Sequence, residues 1–216
     1  HVKDLDVWLV EFANGVRMNL KATDFKEKEI VIAARLAEGG LTLSNDEYST
    51  GFAANAAFNG GGLAAHSEDE LRRLTAGKQV GVGFGMGDDA FQLAGGTTAE
   101  DLLMQFELMC AYLQHPGWRE EGMRQLHQQM PLQYQQLAML PQGPMLMEFM
   151  PALYSDNPRF VPLPELEEVM AVEMDQIRTW LTPHLEDGPL EITVVGDFDV
   201  DAVIAAAGRT FGALPS

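Results

Sequence analysis

The side chains with the chemistry to hold a metal or attack a substrate are few, and most sit where a simpler use explains them. His66-Ser67-Glu68-Asp69-Glu70 is the densest group. The same spacing makes a helix N-terminal capping box, with Ser67 accepting a free amide while Glu70 reaches back, and that use occupies the carboxylates. His184 stands beside Glu186 and Asp187 in what reads as a loop. His115 precedes the helix-stopping Pro116-Gly117, and His127 lies among glutamines on an amphipathic helix; all three histidines read as surface residues rather than ligands. The single cysteine, Cys110, excludes an internal disulfide, and its place in the run Leu108-Met109-Cys110-Ala111-Tyr112-Leu113 marks a small buried hydrophobe. No Gly-x-Ser-x-Gly elbow is present. The glycine run from Gly81 to Gly87 lacks a following lysine, and Asp88 and Asp89 would repel a phosphate, so it reads as a flexible strand and turn.

The elements that would position any site follow from period and punctuation. Val7–Phe12 and Val16–Leu20 flank Asn14-Gly15, whose residues tolerate the positive φ of a tight hairpin, and Glu29–Arg35 is a β-branched third strand. A buried, alanine-rich helix is expected over Asp46–Phe58, closed by a left-handed cap in Asn59-Gly60-Gly61-Gly62, then a short helix after Ser67. Gln79–Phe84 and Ala90–Ala94 alternate as a strand pair. Thr97–Glu100 is expected to cap a helix with Leu102, Leu103, Phe106, Met109 and Cys110 on one side. Further helices are expected from Trp118 to Ala138, kinked at Pro131, over Pro141–Leu153, and twice within Pro164–Leu181. Leu190–Val195 is a strand, and Ala202–Phe211 a helix. This order predicts an α+β fold, a mixed sheet with helices mainly on one face, in a single domain over residues 1–216.

Composition supports a packed core, with 46% hydrophobic residues and no stretch of 18 or more apolar residues to span a bilayer. His1-Val2-Lys3-Asp4 shows no export-signal pattern. With 32 acidic and 14 basic residues the formal charge is −18, which disfavours nucleic acid and anionic membranes as partners and would steer cationic peptides.

Several segments together resemble one family. Phe12-Ala13-Asn14-Gly15-Val16-Arg17-Met18-Asn19-Leu20 followed by Lys21-Ala22-Thr23-Asp24-Phe25 is similar to the first hairpin of a repeat of the pitrilysin/insulinase (M16) zinc metallopeptidases. Ala76–Val80, Leu153–Arg159, Val194-Val195-Gly196-Asp197-Phe198-Asp199 and Phe211-Gly212-Ala213-Leu214-Pro215 resemble later landmarks of the same repeat. The resemblance implies the LuxS/mitochondrial-processing-peptidase-like metallohydrolase fold. It also implies a zinc site on the helix after the third strand, where His-x-x-Glu-His supplies two imidazole ligands and a general base. Here the matching positions are Ala54, Ala57 and Phe58, and the stretch Gln128–Gln136, where a ligating glutamate would fall, has no carboxylate. The resemblance therefore implies a non-catalytic domain that opens the second half of a four-domain chain, similar to a bacterial periplasmic or secreted branch of the family. No cofactor is expected in this chain, and zinc is expected in the catalytic domain of the parent. The expected partners are the other M16 domains of that parent and an enclosed peptide substrate. The alternative is a structural, scaffold-type M16-like subunit with no proteolytic role.

Overall fold

The structure, a computed structural model, describes residues 1–36, 39–154, 157, 160–161 and 163–215. The predicted first hairpin forms: strands β1 (Trp8–Glu11) and β2 (Arg17–Ala22) run antiparallel around Asn14-Gly15, with Gly15 at φ +88°. Asn14 does more than turn the chain. Its Nδ2 donates to the carbonyls of Phe211 and Leu214 at 2.8 and 3.1 Å, which ties the hairpin to the C-terminal turn at Phe211–Ala213.

Strands β3 (Ile30–Leu36), β4 (Gly83–Met86), β5 (Phe91–Thr97) and β6 (Leu190–Gly196) complete a six-stranded sheet in the order β1-β2-β6-β3-β5-β4. β6 is the last strand in sequence yet lies in the middle, parallel to β2 and antiparallel to β3. Its β-branched residues suit that place, because a central strand is paired on both edges. Period-2 alternation decides the faces. Met18, Leu20, Ile30, Ile32, Phe91, Leu93, Ile192 and Val194 are buried under helices, while Arg17, Val31, Ala94, Glu191 and Val195 look outward.

The helices are α1 (Asn45–Ala57), α2 (Glu68–Leu74), α3 (Leu102–Gln114), α4 (Glu120–Ala138), α5 (Met150–Leu153), α6 (Leu166–Ala171), α7 (Met174–Asp187) and α8 (Val200–Arg209). The expected α+β fold, a mixed sheet with helices mainly on one face, is what the chain adopts. Among the described residues no helix is long and apolar enough to cross a membrane.

Local differences from the sequence reading have physical causes. Ser67 and Glu70 form the predicted capping box on α2, and Ser44 with Glu47 forms a second one on α1. The left-handed glycine after α1 is Gly62, reached through a 3-10 turn at Asn59–Gly61. Thr97 does not cap α3: it is the last residue of β5, and Asp101 precedes the helix. α4 starts at Glu120 rather than Trp118, because Trp118 has φ +49° and Arg119 is extended. Pro131 lies inside α4, which continues through it to Ala138. Pro141–Leu153 is only partly α-helical, with a π-helical turn at Met145–Phe149 ahead of α5. In the Leu153–Arg159 landmark, Ser155, Asp156, Pro158 and Arg159 lie outside the described residues.

The strand expected over Gln79–Phe84 enters the ladder only at Gly83. The preceding backbone is held by side chains instead. Asp101 accepts the Gln79 N–H at 2.9 Å, and fully buried Gln105 bonds both polar groups of Gly81, at 2.9 and 2.8 Å. The Gln79 N–H and then Lys78, 2.9 Å away, hold the Asp101 carboxyl below the usual aspartate range. A depressed carboxylate pKa stabilises the fold above the unfolded value of about 3.9, and that contribution is lost as pH falls through the lower folded value. Asp101→Asn should therefore be less stable than the parent chain at neutral pH. The difference should shrink below about pH 4, as read by denaturant unfolding across pH.

Candidate functional site

α1 carries the positions at which the family resemblance places metal chemistry, and its two working faces can be read residue by residue. Ala54 and Ala57 are fully buried, and Phe58, its C-terminal cap residue, is 2% exposed. The Phe58 ring lies 4.9 Å from Phe84, 5.4 Å from Trp118 and 5.8 Å from Tyr112, centroid to centroid, so the space beyond α1 is filled by an aromatic cluster. Such tilted and edge-on pairs each add about 0.5–1.5 kcal/mol beyond burial. The groups offered here are two methyls and a phenyl ring, none with a lone pair for a cation.

α4 runs against α1, and glycine sets how close it comes. A Cβ on Gly122 would collide with the Ala57 carbonyl oxygen, so the backbones meet where no side chain fits. Further along, the Tyr134 hydroxyl of α4 donates to the Pro164 carbonyl at 2.7 Å. The buried α4 side chains between these two contacts are Met123, Leu126 and Met130. In Gln128–Gln136 all the glutamines, at 128, 129, 133, 135 and 136, are exposed, while Met130 and Tyr134 point inward.

The other face of α1 closes the sheet. β4 is an edge strand, and an open edge is a row of unpaired amides and carbonyls able to accept a peptide strand. Asn59 Oδ1 accepts the Phe84 N–H at 2.8 Å while its Nδ2 donates to the Val82 carbonyl at 2.7 Å. One turn earlier, Asn55 Oδ1 accepts the Met86 N–H at 2.6 Å. Two asparagines at i and i+4 thus accept the Phe84 and Met86 N–H groups that β4 turns away from β5. Sequence reading missed both, although an i, i+4 asparagine pair at the end of an alanine-rich helix is a readable signal, since asparagine there needs a partner. It also missed Arg119. That guanidinium donates to the carbonyls of Gly61, Leu63, Ala64 and His66 and so fixes the loop after α1.

The remaining candidates do not converge. His66, His115 and His127 are exposed and lie on separate elements. His184 is not in a loop. It lies within α7, half-buried, with its ring 5.1 Å from Phe91 and 5.5 Å from Trp180; Glu186 is exposed and the side chain of Asp187 lies outside the described residues. Among the described residues no group of three His, Cys, Asp or Glu side chains comes together. Cys110 is buried, and burial pushes its thiol up to about 12, away from the thiolate a nucleophile needs.

No family model matches the sequence, and no curated protein matches it. Solved structures do. The chain superposes on the periplasmic protease PqqL from Escherichia coli with TM-score 0.80 at 13% identity, covering 97% of this chain and 24% of PqqL. It superposes on the ferredoxin protease FusC, solved as a point mutant in complex with Arabidopsis ferredoxin, with TM-score 0.76 at 18% identity, covering 100% of this chain and 24% of FusC. A peptidase M16 inactive domain from Pseudomonas fluorescens gives TM-score 0.74 at 17% identity, with 98% and 51% coverage. The chain thus spans about a quarter of the length of the two proteases and about half of the third.

Removing Asn59 should be costly out of proportion to its size. Asn59→Ala strands the Val82 carbonyl and the Phe84 N–H at about 1–3 kcal/mol each, so a loss of about 2–4 kcal/mol is expected, measured by urea unfolding. Phe58→Ala, which empties the aromatic cluster, should cost about 3–5 kcal/mol in the same assay. The fold of this chain is the one found in the peptidase M16 inactive domain and in the proteases PqqL and FusC.

Proposed function

We propose that this chain is a non-catalytic domain of an M16-type zinc metalloendopeptidase, similar to the PqqL-like bacterial branch. It would form part of the wall that encloses a peptide substrate while zinc and catalysis reside in another domain of the parent. The observation that carries the reading is the state of α1. In an M16-type fold, the helix positions where ligands are expected hold Ala54, Ala57 and Phe58, all buried, and Phe58 fills the adjoining space with its aromatic neighbours. The capping of β4 by Asn55 and Asn59 supports it from a second side, because a peptide strand cannot add to an edge whose donors are taken.

In this account the domain binds no zinc, acts with other M16 domains of the same parent, and works outside the cytoplasm as PqqL does. Its contribution is geometric: a chamber of such walls admits short unfolded peptides and excludes folded proteins by size.

Metal analysis tests the assignment. After equilibration with zinc and removal of the excess, the 216-residue chain should carry no stoichiometric metal and cleave no unfolded peptide. The full-length parent should hold zinc and cleave it. One tightly held zinc on the isolated chain would overturn the non-catalytic assignment. A metal-free, inactive parent would overturn the peptidase role and leave a scaffold.

A further inference from the structure

The largest run of exposed apolar side chains lies far along the chain from the α1–β4 contact. Met139 is 84% exposed, and Leu132, Leu140, Met145, Phe149 and Leu153 are all exposed, on the second half of α4 and the turns around α5. Scattered single apolar residues on a surface need no explanation, whereas six within one stretch of 22 residues point to an interaction site. The second half of α4, the π-helical turn and α6 line a cleft of about 350 Å³, through Pro131, Tyr134, Gln135, Ala138, Met147 and Leu166. The Tyr134 hydroxyl is not free to greet a ligand, since it donates to the Pro164 carbonyl at 2.7 Å, so the floor presents apolar surface. The volume is at the small end of the range of about 300–1,000 Å³ for ligand clefts, room for the anchor of a segment rather than for a folded partner.

Charge tells what the segment carries. Glu165 and Glu167 stand on the rim, and neither makes an ion pair among the described residues. Across residues 124–178 the sequence has three lysines or arginines, at 124, 159 and 178, and seven carboxylates, at 148, 156, 165, 167, 168, 173 and 175, of which Asp175 pairs with Arg178 at 3.5 Å. The same span holds seven of the 12 methionines, at 130, 139, 145, 147, 150, 170 and 174. Methionine is flexible and polarisable, so a surface rich in it adapts to apolar side chains of differing shape.

We propose that this cleft binds a peptide segment whose apolar side chains enter between α4 and α6 while flanking lysines or arginines meet Glu165 and Glu167. The site tolerates variation in the apolar residues and discriminates by the sign of the flanking charge. It narrows the substrate class of the chamber wall proposed above, yet binding is a property of this chain alone and does not rest on a proteolytic parent.

The test is fluorescence anisotropy of the 216-residue chain with two labelled peptides that share an apolar centre, one flanked by lysines and the other by glutamates. At low salt the lysine peptide should bind at least about tenfold more tightly, as two surface charge pairs allow, and added salt should narrow the gap. Ala138→Arg, on an exposed helical position in the cleft, should abolish binding without loss of helical circular dichroism. Glu165→Gln with Glu167→Gln should remove the preference between the peptides while leaving residual apolar binding. Equal affinity for both peptides, binding unaffected by Ala138→Arg, or no binding at all would each overturn the proposal. So would a dimer of the chain that Ala138→Arg disperses without any peptide binding. A zinc-free, inactive parent would leave these binding results unchanged, so failure of the enclosure reading and failure of this site are separable.

Discussion

One helix and one short strand constrain each other, and the rest of the domain is arranged around that contact. β4 is an edge strand of four residues, two of them glycine. Asn55 and Asn59 hold it in place, by accepting the outward Phe84 and Met86 N–H groups that another strand would otherwise engage. Because Asn55 lies on α1 and Asn59 opens the 3-10 turn just past its cap residue Phe58, the register of the helix over the sheet is fixed with the strand. That register is what turns Ala54 and Ala57 inward and sends Phe58 against Phe84.

The same contact supports the proposal that the domain is a wall and not a site. An open sheet edge beside a helix that offers metal ligands would be two devices for acting on a peptide, one to align it and one to polarise it. Here the edge is bonded to the helix itself, and the helix offers methyls and a ring. Gly122 lets α4 come against Ala57 backbone to backbone. Arg119 then draws the loop from Gly61 to His66 onto the start of α4, so the region is tightened from both ends.

Much of this was legible in the sequence. The Asn14-Gly15 hairpin, the β-branched strands at Ile30 and Leu190, the Ser67–Glu70 box and the alanine-rich α1 all follow from local rules, because the local preference and the tertiary fold agree at each of them. What local rules did not give was the work of side chains on distant backbone. Asp101 and Gln105 hold residues 79–81 in place of a ladder, from 22 and 24 residues away in sequence, and nothing near Gln79 announces it. Likewise His184 reads as a loop residue beside acidic neighbours, until Pro183 proves to sit inside α7 and the ring packs on Phe91. The positions matching the metal motif were found by resemblance; that they sit beneath an aromatic cluster and next to a bonded edge was visible only once the chain was folded.

The bond between α1 and the edge strand can be measured without altering the chain. Amide hydrogen exchange, read residue by residue, should find the Phe84 and Met86 N–H groups nearly as slow as those of Ile32 and Val194 in the middle of the sheet, because they open only when α1 leaves. If they exchange as fast as unpaired amides at a free edge, α1 does not seal β4, and the account of this domain as a closed wall is wrong.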